Sequence, residues 1–422
     1  MSSLTITQAS CADDYDPNSM PVAKARAFIH QFLEPVQGTL RVPIRSALGR
    51  VLAEDVLSPV DVPAHRNSAM DGWAMRGADL KADGESTLTE IGTAFAGRPY
   101  GGPLGPGQCV RIMTGAVVPQ GSDTVVMQER ARAAGKSITF AAGAKTGQNV
   151  REAGEDLKAG SIALRAGRIV RPAELGLIAS LGVGEVAVRR TLRVAFFSTG
   201  DELKSVGSAL GEGEIYDSNR YTLHGMLTRL GCEALDMGVV RDDPKLLERA
   251  FREAAASADV VITSGGVSVG EADFVKGMLD ELGEEVFWKI AMKPGRPLAY
   301  GKIAGAHFFG LPGNPVSVMV TFYQFVRDAL LVLMGASPVE PVPTFTAVCS
   351  TRLRKAPGRT EFQRGVLSRG PDGALIVKPT GEQGSGILKS MSDANCFIIL
   401  GDATGNVEPG TLVEVQLLEG IV

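Results

Sequence analysis

Three short stretches of this 422-residue chain join glycine to hydroxyl and acidic side chains in a way that suits an anionic ligand. They are Ser198-Thr199-Gly200-Asp201-Glu202, Thr263-Ser264-Gly265-Gly266-Val267-Ser268-Val269-Gly270-Glu271-Ala272-Asp273 and Gly310-Leu311-Pro312-Gly313-Asn314-Pro315. Glycine lets backbone amides approach a ligand closely, and amides and hydroxyls left at a strand end favour phosphate. The second stretch matches neither the Walker loop nor the Gly-x-Gly-x-x-Gly dinucleotide fingerprint. Alone it is as readily a plain turn. Three such loops on one sheet edge point to a phosphate-bearing ligand.

Carboxylates accompany the loops. Asp201 and Glu202 follow one apolar run, Asp242 and Asp243 another, and Asp273 closes the longest loop. Hard oxygen ligands beside phosphate loops suit Mg²⁺, which takes one or two carboxylates together with substrate phosphates. Asp243 precedes Pro244 and reads as a helix cap, which leaves Asp242 as the candidate ligand of that pair. Lys289, Lys293 and Pro297 recur at a four-residue spacing that keeps them on one face of a strand or a helix. With Arg296 they form a candidate oxyanion cradle; the plainer reading is a solvated basic edge. Upstream, Asn67–Ala74 holds Asp71 between Met70 and Gly72, Arg111–Ala116 ends in Thr114 and Gly115, and Arg151–Asp156 packs Glu152, Glu155 and Asp156 into a turn. Each of these alone is weak, because turns favour such residues.

The elements that must position these groups follow from periodicity. Residues 19–34 show helical spacing, with Ser19 or Asn18 as the expected cap, and a short helix is expected over 45–52. From about residue 61 to 148, short apolar runs alternate with glycine and proline turns, the texture of a small β-rich domain. Residues 172–181 start with proline and stop at Gly182, again as a helix; we expect it to pack with the N-terminal helices, making the β-rich segment an insertion. Between about 189 and 334, buried strands alternate with helices at 219–230 and from Asp243 onward, which implies a doubly wound parallel sheet. All three glycine loops fall at carboxyl ends of strands, where ligands bind in such sheets. The remaining residues return to short strands, expected to close as a small β barrel or sandwich. The expected domains are 1–58 with 149–188, 59–148, 189–336 and 337–422.

Composition excludes several classes. Forty-three basic residues against 47 acidic ones give a formal charge of −4, so no electrostatic nucleic-acid binder is expected. No apolar run approaches the ~18 residues of a membrane span, and residues 1–10 lack the basic start and apolar core of a secretory signal. The five cysteines and four histidines are scattered without Cys-x-x-Cys spacing, which argues against a disulfide framework or a thiolate or imidazole metal site. A reducing, cytoplasmic location is expected.

Taken together and in order, Asn67–Ala74, Arg111–Ala116, Gly154–Asp156, Ser198–Leu203, Asp217-Ser218-Asn219, Arg241–Pro244, Thr263–Asp273, Lys293–Pro297, Leu311–Ser317 and Gln383-Gly384-Ser385 resemble the molybdopterin molybdenumtransferase family, whose eukaryotic relatives include the E domain of gephyrin. The resemblance spans nearly the whole chain. It implies a helical region, an inserted β domain, a pterin-binding α/β domain and a C-terminal β barrel, assembled as a homodimer whose cleft uses both subunits. The reaction it implies is Mg²⁺-dependent insertion of molybdate into adenylylated molybdopterin with release of AMP, giving molybdenum cofactor. Carried over position by position, Glu202, Asp242 and Asp273 handle metal and pterin, while Asp71, Thr114 and Asp156 come across the dimer cleft. Ser198, Thr199, Gly200, Ser264, Gly265, Gly266, Ser268 and Pro315 belong to the substrate loops. Lys289, Lys293, Arg296, Pro297, Ser317, Arg359 and Ser385 surround the pterin phosphate and molybdate, with Arg364 in the same stretch as Arg359. The protein partners implied are the molybdopterin adenylyltransferase and apo-molybdoenzymes. Departures from the family pattern are Ala64-His65-Arg66, Trp73 in place of the commoner tyrosine, and Arg296, where lysine is frequent. Two other readings follow from the same resemblance: a molybdopterin-binding scaffold without catalysis, and the adenylylation step, whose enzymes match 189–334 alone.

Overall fold

A computed structural model of the chain describes residues 19–265 and 283–418. Gly266, Ser268 and Asp273 therefore lie outside the described residues.

At the centre stands a six-stranded sheet. Arg193–Thr199 pairs in parallel with Glu233–Val240 on one side and Val260–Ser264 on the other, and Ala306–Leu311 continues the parallel run. Neighbouring residues of these strands face opposite ways. Val194, Phe196, Val260 and Ile262 pack against Leu223 and Leu227 of the helix Ser218–Leu230 and against the apolar helix from Pro315. Ala195, Phe197 and Val261 pack against Leu247, Ala250, Phe251 and Ala254 of the helix Pro244–Ser257. A strand buried on both faces must be apolar throughout, which is why these runs lack alternation.

The sheet is not wholly parallel, contrary to expectation. Pro297–Ile303 is antiparallel to Ala306–Leu311, and Gly283–Lys289 is antiparallel to it in turn. The cause is local: Ile303 pairs with Ala306 across Ala304 and Gly305, whose φ values are +47° and +92°. Two central residues in the left-handed region make a tight hairpin of the primed type, which forces the chain to reverse without a crossover helix.

Two N-terminal expectations change. The helix runs only Val22–His30, its N-cap position is Pro21, and Ser19 does not cap it. Met20 is held extended instead, its N–H on the Lys289 carbonyl and its carbonyl taking the Ala291 N–H, each at 2.8 Å. Over 45–52 there is a single 3₁₀ turn, Ile44–Ala47, broken near Gly49 at φ +76°. The helix Pro172–Ser180 forms as expected. Its Glu174 carboxylate accepts the Arg171 N–H at 3.1 Å and two Arg168 donors at 2.9 and 2.7 Å, a closed cap for the first turn. Ile178 shares a core with Ala47, Leu52, Val56 and Val186.

Between Asn67–Ser68 and Val150–Arg151, which pair with each other, the chain makes a separate six-stranded sheet built around Gly72–Met75 and Gln108–Ile112. The C-terminal strands close into a ring: Thr360–Arg369, Leu375–Pro379, Thr344–Cys349, Leu412–Leu417 and Cys396–Leu400, which returns to Thr360–Arg369. Met292–Lys293 pairs with Thr360–Glu361 and fastens this barrel to the α/β unit. One helical stretch, Pro315–Leu333, is long and apolar enough to cross a bilayer, which the sequence reading missed, but most of it is buried inside the protein. Its interior turn Phe322–Val326 is π-helical.

Candidate active site

The carboxyl ends of the central strands bring the glycine loops together. Ser198 and Ser264 are register partners, buried, with their hydroxyls 2.9 Å apart, and the Ser198 hydroxyl donates to Asp217 Oδ1 at 2.9 Å. Beyond them the chain turns at Gly200 and Gly265, both at positive φ. A Cβ on Gly265 would stand 2.5 Å from the Thr199 carbonyl oxygen, so only glycine fits there. The Gly265 N–H donates to the Leu311 carbonyl at 3.1 Å, and Asn219 Nδ2 donates to the Gly313 carbonyl at 2.7 Å. All three loops thus share one edge. Thr199 Oγ1 and Asn219 Oδ1 are buried there without a hydrogen-bond partner among the described residues. Unpaired buried polar atoms are costly unless a ligand completes them, so this edge has the chemistry of a recognition surface.

Asp217 and Asn219 are site residues that the chemistry of the loops did not single out. Asp217 caps its helix: its carboxylate accepts the Arg220 N–H at 3.2 Å. Its second contact, to Ser198, joins the helix start to the strand end.

The acids gather beside this edge. A Cβ on Gly200 would lie 2.6 Å from a Glu202 carboxylate oxygen, so Glu202 folds back over the glycine. Burial first, then the charges of Asp201 and Glu202, push the Asp242 pKa above the ordinary carboxylate range. Asp243 caps its helix, taking the Lys245 and Leu246 N–H groups at 3.0 Å each, as expected. Among the described residues no group of three or more Asp, Glu, His or Cys converges tightly enough to hold a metal. Glu202 and Asp242 are at most part of such a site, since Asp273 lies outside the described residues. The donor set nevertheless fits a hard divalent cation, because mutually repelling carboxylates are what a cation relieves.

The cationic residues line a separate cavity of about 800 Å³ between the barrel and the Lys293–Pro297 loop. Six cations, Lys293, Arg296, Arg352, Arg354, Lys355 and Arg359, face it with one acid, Glu361. The loop carrying Lys293 and Arg296 is shaped by a cis Lys293-Pro294 bond and by Gly295 at φ +92°, where a Cβ would meet Thr321 Oγ1 at 2.5 Å. Lys289 and Pro297 are antiparallel register partners below it. Lys293 Nζ lies 3.4 Å from Glu361, which also accepts Gln363 Nε2 at 2.9 Å.

Not every cation is available to a ligand. Lys355 is buried and directs its ammonium to the Ala356, Asp402 and Thr404 carbonyls at 3.2, 3.3 and 2.8 Å, and burial lowers its pKa. Arg352 pairs with Glu408 at 3.0 Å on the surface. Sequence reasoning passed over Arg352, Arg354 and Lys355, although three cations in four residues were a visible signal. Arg359 lines the cavity, whereas Arg364 is buried inside the barrel.

One helix relates the two regions. Its start, Asn314-Pro315-Val316-Ser317, leaves the third glycine loop, and the Val316 N–H donates to the Ser385 carbonyl of the barrel at 3.1 Å. Ser317 is buried, and its carbonyl would lie 3.5 Å from a Cβ on Gly295. Pro315, Ser317 and Ser385 are therefore neighbours through the backbone.

The remaining candidates sit on other elements. Asp71 is exposed and accepts both the N–H and the hydroxyl of Thr114 at 2.7 Å. Those bonds, with Arg111 nearby, hold its carboxyl below the ordinary range. Arg111 lies over the Trp73 ring, 4.2 Å from its centre, a cation–π contact that orients it. Asp156 is exposed in a turn whose N–H reaches the Val62 carbonyl at 3.0 Å. Asp71 and Thr114 are brought together; they lie on the inserted sheet, not on the glycine edge.

Fold and site together define a multidomain α/β protein with a glycine-rich strand edge bearing unpaired polar atoms and a separate cavity lined by cations. Residues 20–182 match the family model described as MoeA N-terminal region (domain I and II), 195–332 a probable molybdopterin binding domain, and 346–418 the MoeA C-terminal region (domain IV). The chain belongs to the molybdopterin molybdenumtransferase family. It is similar to the molybdopterin molybdenumtransferase of Haemophilus influenzae, at 46% identity over 88% of this chain and 92% of the relative. It is also similar to gephyrin of Dictyostelium discoideum, at 32% identity over 95% of this chain and 62% of that protein. A crystal structure of the molybdopterin biosynthesis moeA protein from Pyrococcus horikoshii superposes with a TM-score of 0.81 at 29% identity, covering 94% of this chain and all of that one.

Proposed function

We propose that this chain inserts molybdate into adenylylated molybdopterin, releasing AMP and yielding molybdenum cofactor. The observation that carries the proposal is the helix from Pro315. Its first turn meets the glycine edge, and its Ser317–Thr321 face supports the loop that presents Lys293 and Arg296 to the cationic cavity. A phosphate-bearing pterin on the loops and a dianionic oxyanion in the cavity would thereby be held by one rigid element, and such positioning lowers barriers.

The loop amides and the unpartnered Thr199 hydroxyl hold phosphate oxygens, while Ser198 and Ser264, bonded to Asp217 and to each other, brace the strand ends that carry those loops. Arg296, Arg359 and Lys293 offset the charge of molybdate as it approaches an anionic partner, a task for which cationic donors outperform neutral ones. Pro297, Ser317, Ser385 and Lys289 do not line that cavity; in this reading they support it, Lys289 and Pro297 as register partners beneath the Lys293–Pro297 loop and Ser317 and Ser385 through the helix from Pro315. Glu202, Asp242 and Asp273 would hold Mg²⁺. Bound there, Mg²⁺ supplies neutralisation of charge at the phosphoanhydride. Asp71, kept ionised by Thr114, and Asp156 would serve the cleft of a second subunit in a homodimer. Support for that assembly comes from Leu57 and Ile162, register partners that are both exposed together with Val60. We place the protein in the cytoplasm, in keeping with buried free thiols at Cys109, Cys349 and Cys396.

The test is AMP release from adenylylated molybdopterin with Mg²⁺ and molybdate each present or omitted, in wild type and Asp273→Ala. Release that needs both and is lost in the variant supports the proposal. Tight pterin binding with no AMP release under any condition refutes catalysis and leaves a binding scaffold.

A further inference from the structure

Arg364 sits in the barrel strand Thr360–Arg369 and is only 1% exposed. Its guanidinium donates to the Ser390 hydroxyl at 2.9 Å and to the carbonyls of Gln383, Gly384 and Glu382 at 3.1, 2.9 and 3.4 Å. The same loop clasps its backbone: the Arg364 N–H donates to Gln383 Oε1 at 2.8 Å, and its carbonyl accepts Gln383 Nε2 at 3.1 Å. Burial among these neutral dipoles pushes its pKa down to about 10, so the group remains charged at neutral pH.

A buried charge is a poor choice if the only task is to fill a barrel, because an apolar side chain of similar volume does that as well or better. What an apolar side chain cannot do is fix three successive carbonyls in one orientation. The guanidinium fork has that geometry. The residue that follows those carbonyls is Ser385, whose own carbonyl takes the Val316 N–H at 3.1 Å. Three residues earlier in the same strand, Glu361 pairs with Lys293 at 3.4 Å on the wall of the cavity. The Arg364 side chain thus ties the loop that ends at Ser385 to the strand that borders the cationic cavity, and the Ser385 carbonyl ties that loop to the start of the helix that leaves the glycine edge.

We propose that Arg364 is a positioning residue for the oxyanion step, holding the 382–385 backbone so that Ser385 stays seated beside Ser317. The inference rests on the molybdate-insertion reading above. Full-length wild type, Arg364→Lys and Gln383→Ala are compared by AMP release at varied molybdate and varied adenylylated molybdopterin, with hydrogen exchange at the Val316 amide. Arg364→Lys is expected to raise the molybdate KM by about tenfold, the effect of losing one or two charge-assisted bonds. Its pterin-nucleotide KM and its kcat at saturating molybdate should stay within about twofold, and Val316 should exchange faster. Gln383→Ala keeps the guanidinium and should move the same quantities less; it decides the matter if Arg364→Lys does not fold. An unmoved molybdate KM, or equal rises in both KM values, in an active and folded variant overturns the positioning role alone. A wild type that releases no AMP overturns the parent reading and this inference with it.

Discussion

Arg359→Gln isolates one charge of the cationic cavity. A sphere of the cavity's volume, about 800 Å³, has a radius of roughly 6 Å, which sets the distance from a central dianion to a lining guanidinium. At that distance one cation attracts a dianion by about 1.4 kcal/mol at the dielectric constant of water, and by several times more at an effective value of ~20. Arg359 is half-buried and the cavity holds water-sized space, so the lower figure applies. Loss of the charge should raise the molybdate KM about tenfold at low ionic strength. At 0.5 M salt the screening length falls to about 4 Å, and the penalty should shrink to two- or threefold. The internal control is Arg352→Gln, the same charge change in the same cavity. Arg352 is already engaged by Glu408 at 3.0 Å and well exposed, so its loss should change the KM by less than about twofold. The assay is AMP release against molybdate at two salt concentrations for wild type and both variants. Equal effects of the two substitutions, or a penalty indifferent to salt, would refute the assignment of Arg359 to the oxyanion.

Other outcomes follow from the acids and the glycines. Because burial and the charges of Asp201 and Glu202 raise the Asp242 pKa, Mg²⁺ should raise the unfolding temperature of wild type by a few degrees at about tenfold the dissociation constant, and Asp242→Asn should abolish most of that gain; equal gains in the two proteins exclude Asp242 from the site. Thr114 holds the Asp71 carboxyl below the ordinary range, so Asp71 is protonated only at lower pH than usual, and Thr114→Val should move its titration upward, read by carboxyl carbon NMR. An unchanged titration midpoint would show that the hydroxyl bond contributes nothing. Gly265→Ala puts a Cβ 2.5 Å from the Thr199 carbonyl at a φ of +91°, whereas at Gly313 the nearest atom would be 3.8 Å away. Chemical denaturation should therefore find Gly265→Ala destabilising by roughly 2 kcal/mol or more and Gly313→Ala by less than about 1; similar values for both would mean that the loop yields.

Much of this organisation was legible because the strong signals were local. The runs 194–197 and 260–262 are apolar without alternation, and only a strand covered on both faces needs that pattern. Asp243 before Pro244 announced its helix, and the cap is present. The antiparallel edge was hidden because its cause is the two-residue turn Ala304-Gly305, in which alanine, a residue with no preference for the left-handed region, takes φ +47°. The short N-terminal helix failed the expectation for a different reason. Met20 is drawn into the Lys289–Ala291 backbone, a contact with residues some 270 positions away that no helical period can reveal. At the site, the glycine loops and acids were visible as types in sequence, while the cavity was not. It arises where Met292–Lys293 pairs with Thr360–Glu361, and Arg352 and Arg354 enter it from a loop whose clustered cations sequence reasoning passed over.

The division of labour between the two regions has a physical rationale. The glycine edge is made from backbone, hydroxyls and repelling acids, so it can discriminate a ligand by shape and hydrogen bonds but would resist an added anion. The cavity gathers cations on a barrel and tolerates them because backbone carbonyls solvate the Lys355 ammonium and Glu361 lies beside Lys293. Bringing a dianion toward a phosphorylated partner requires both environments near each other, yet a single loop could not satisfy both, since its acids and cations would collapse into ion pairs. Placing the acids on one sheet edge and the cations on a separate barrel keeps them from quenching each other. The pairing of Lys293 with Glu361 and the bond from Val316 to Ser385 then set the separation. On the proposed reading the barrel would belong to the active site and not be a passive appendage: it places Arg359 on the cavity wall and fastens the Ser385 carbonyl to the Val316 N–H of the helix that leaves the glycine edge.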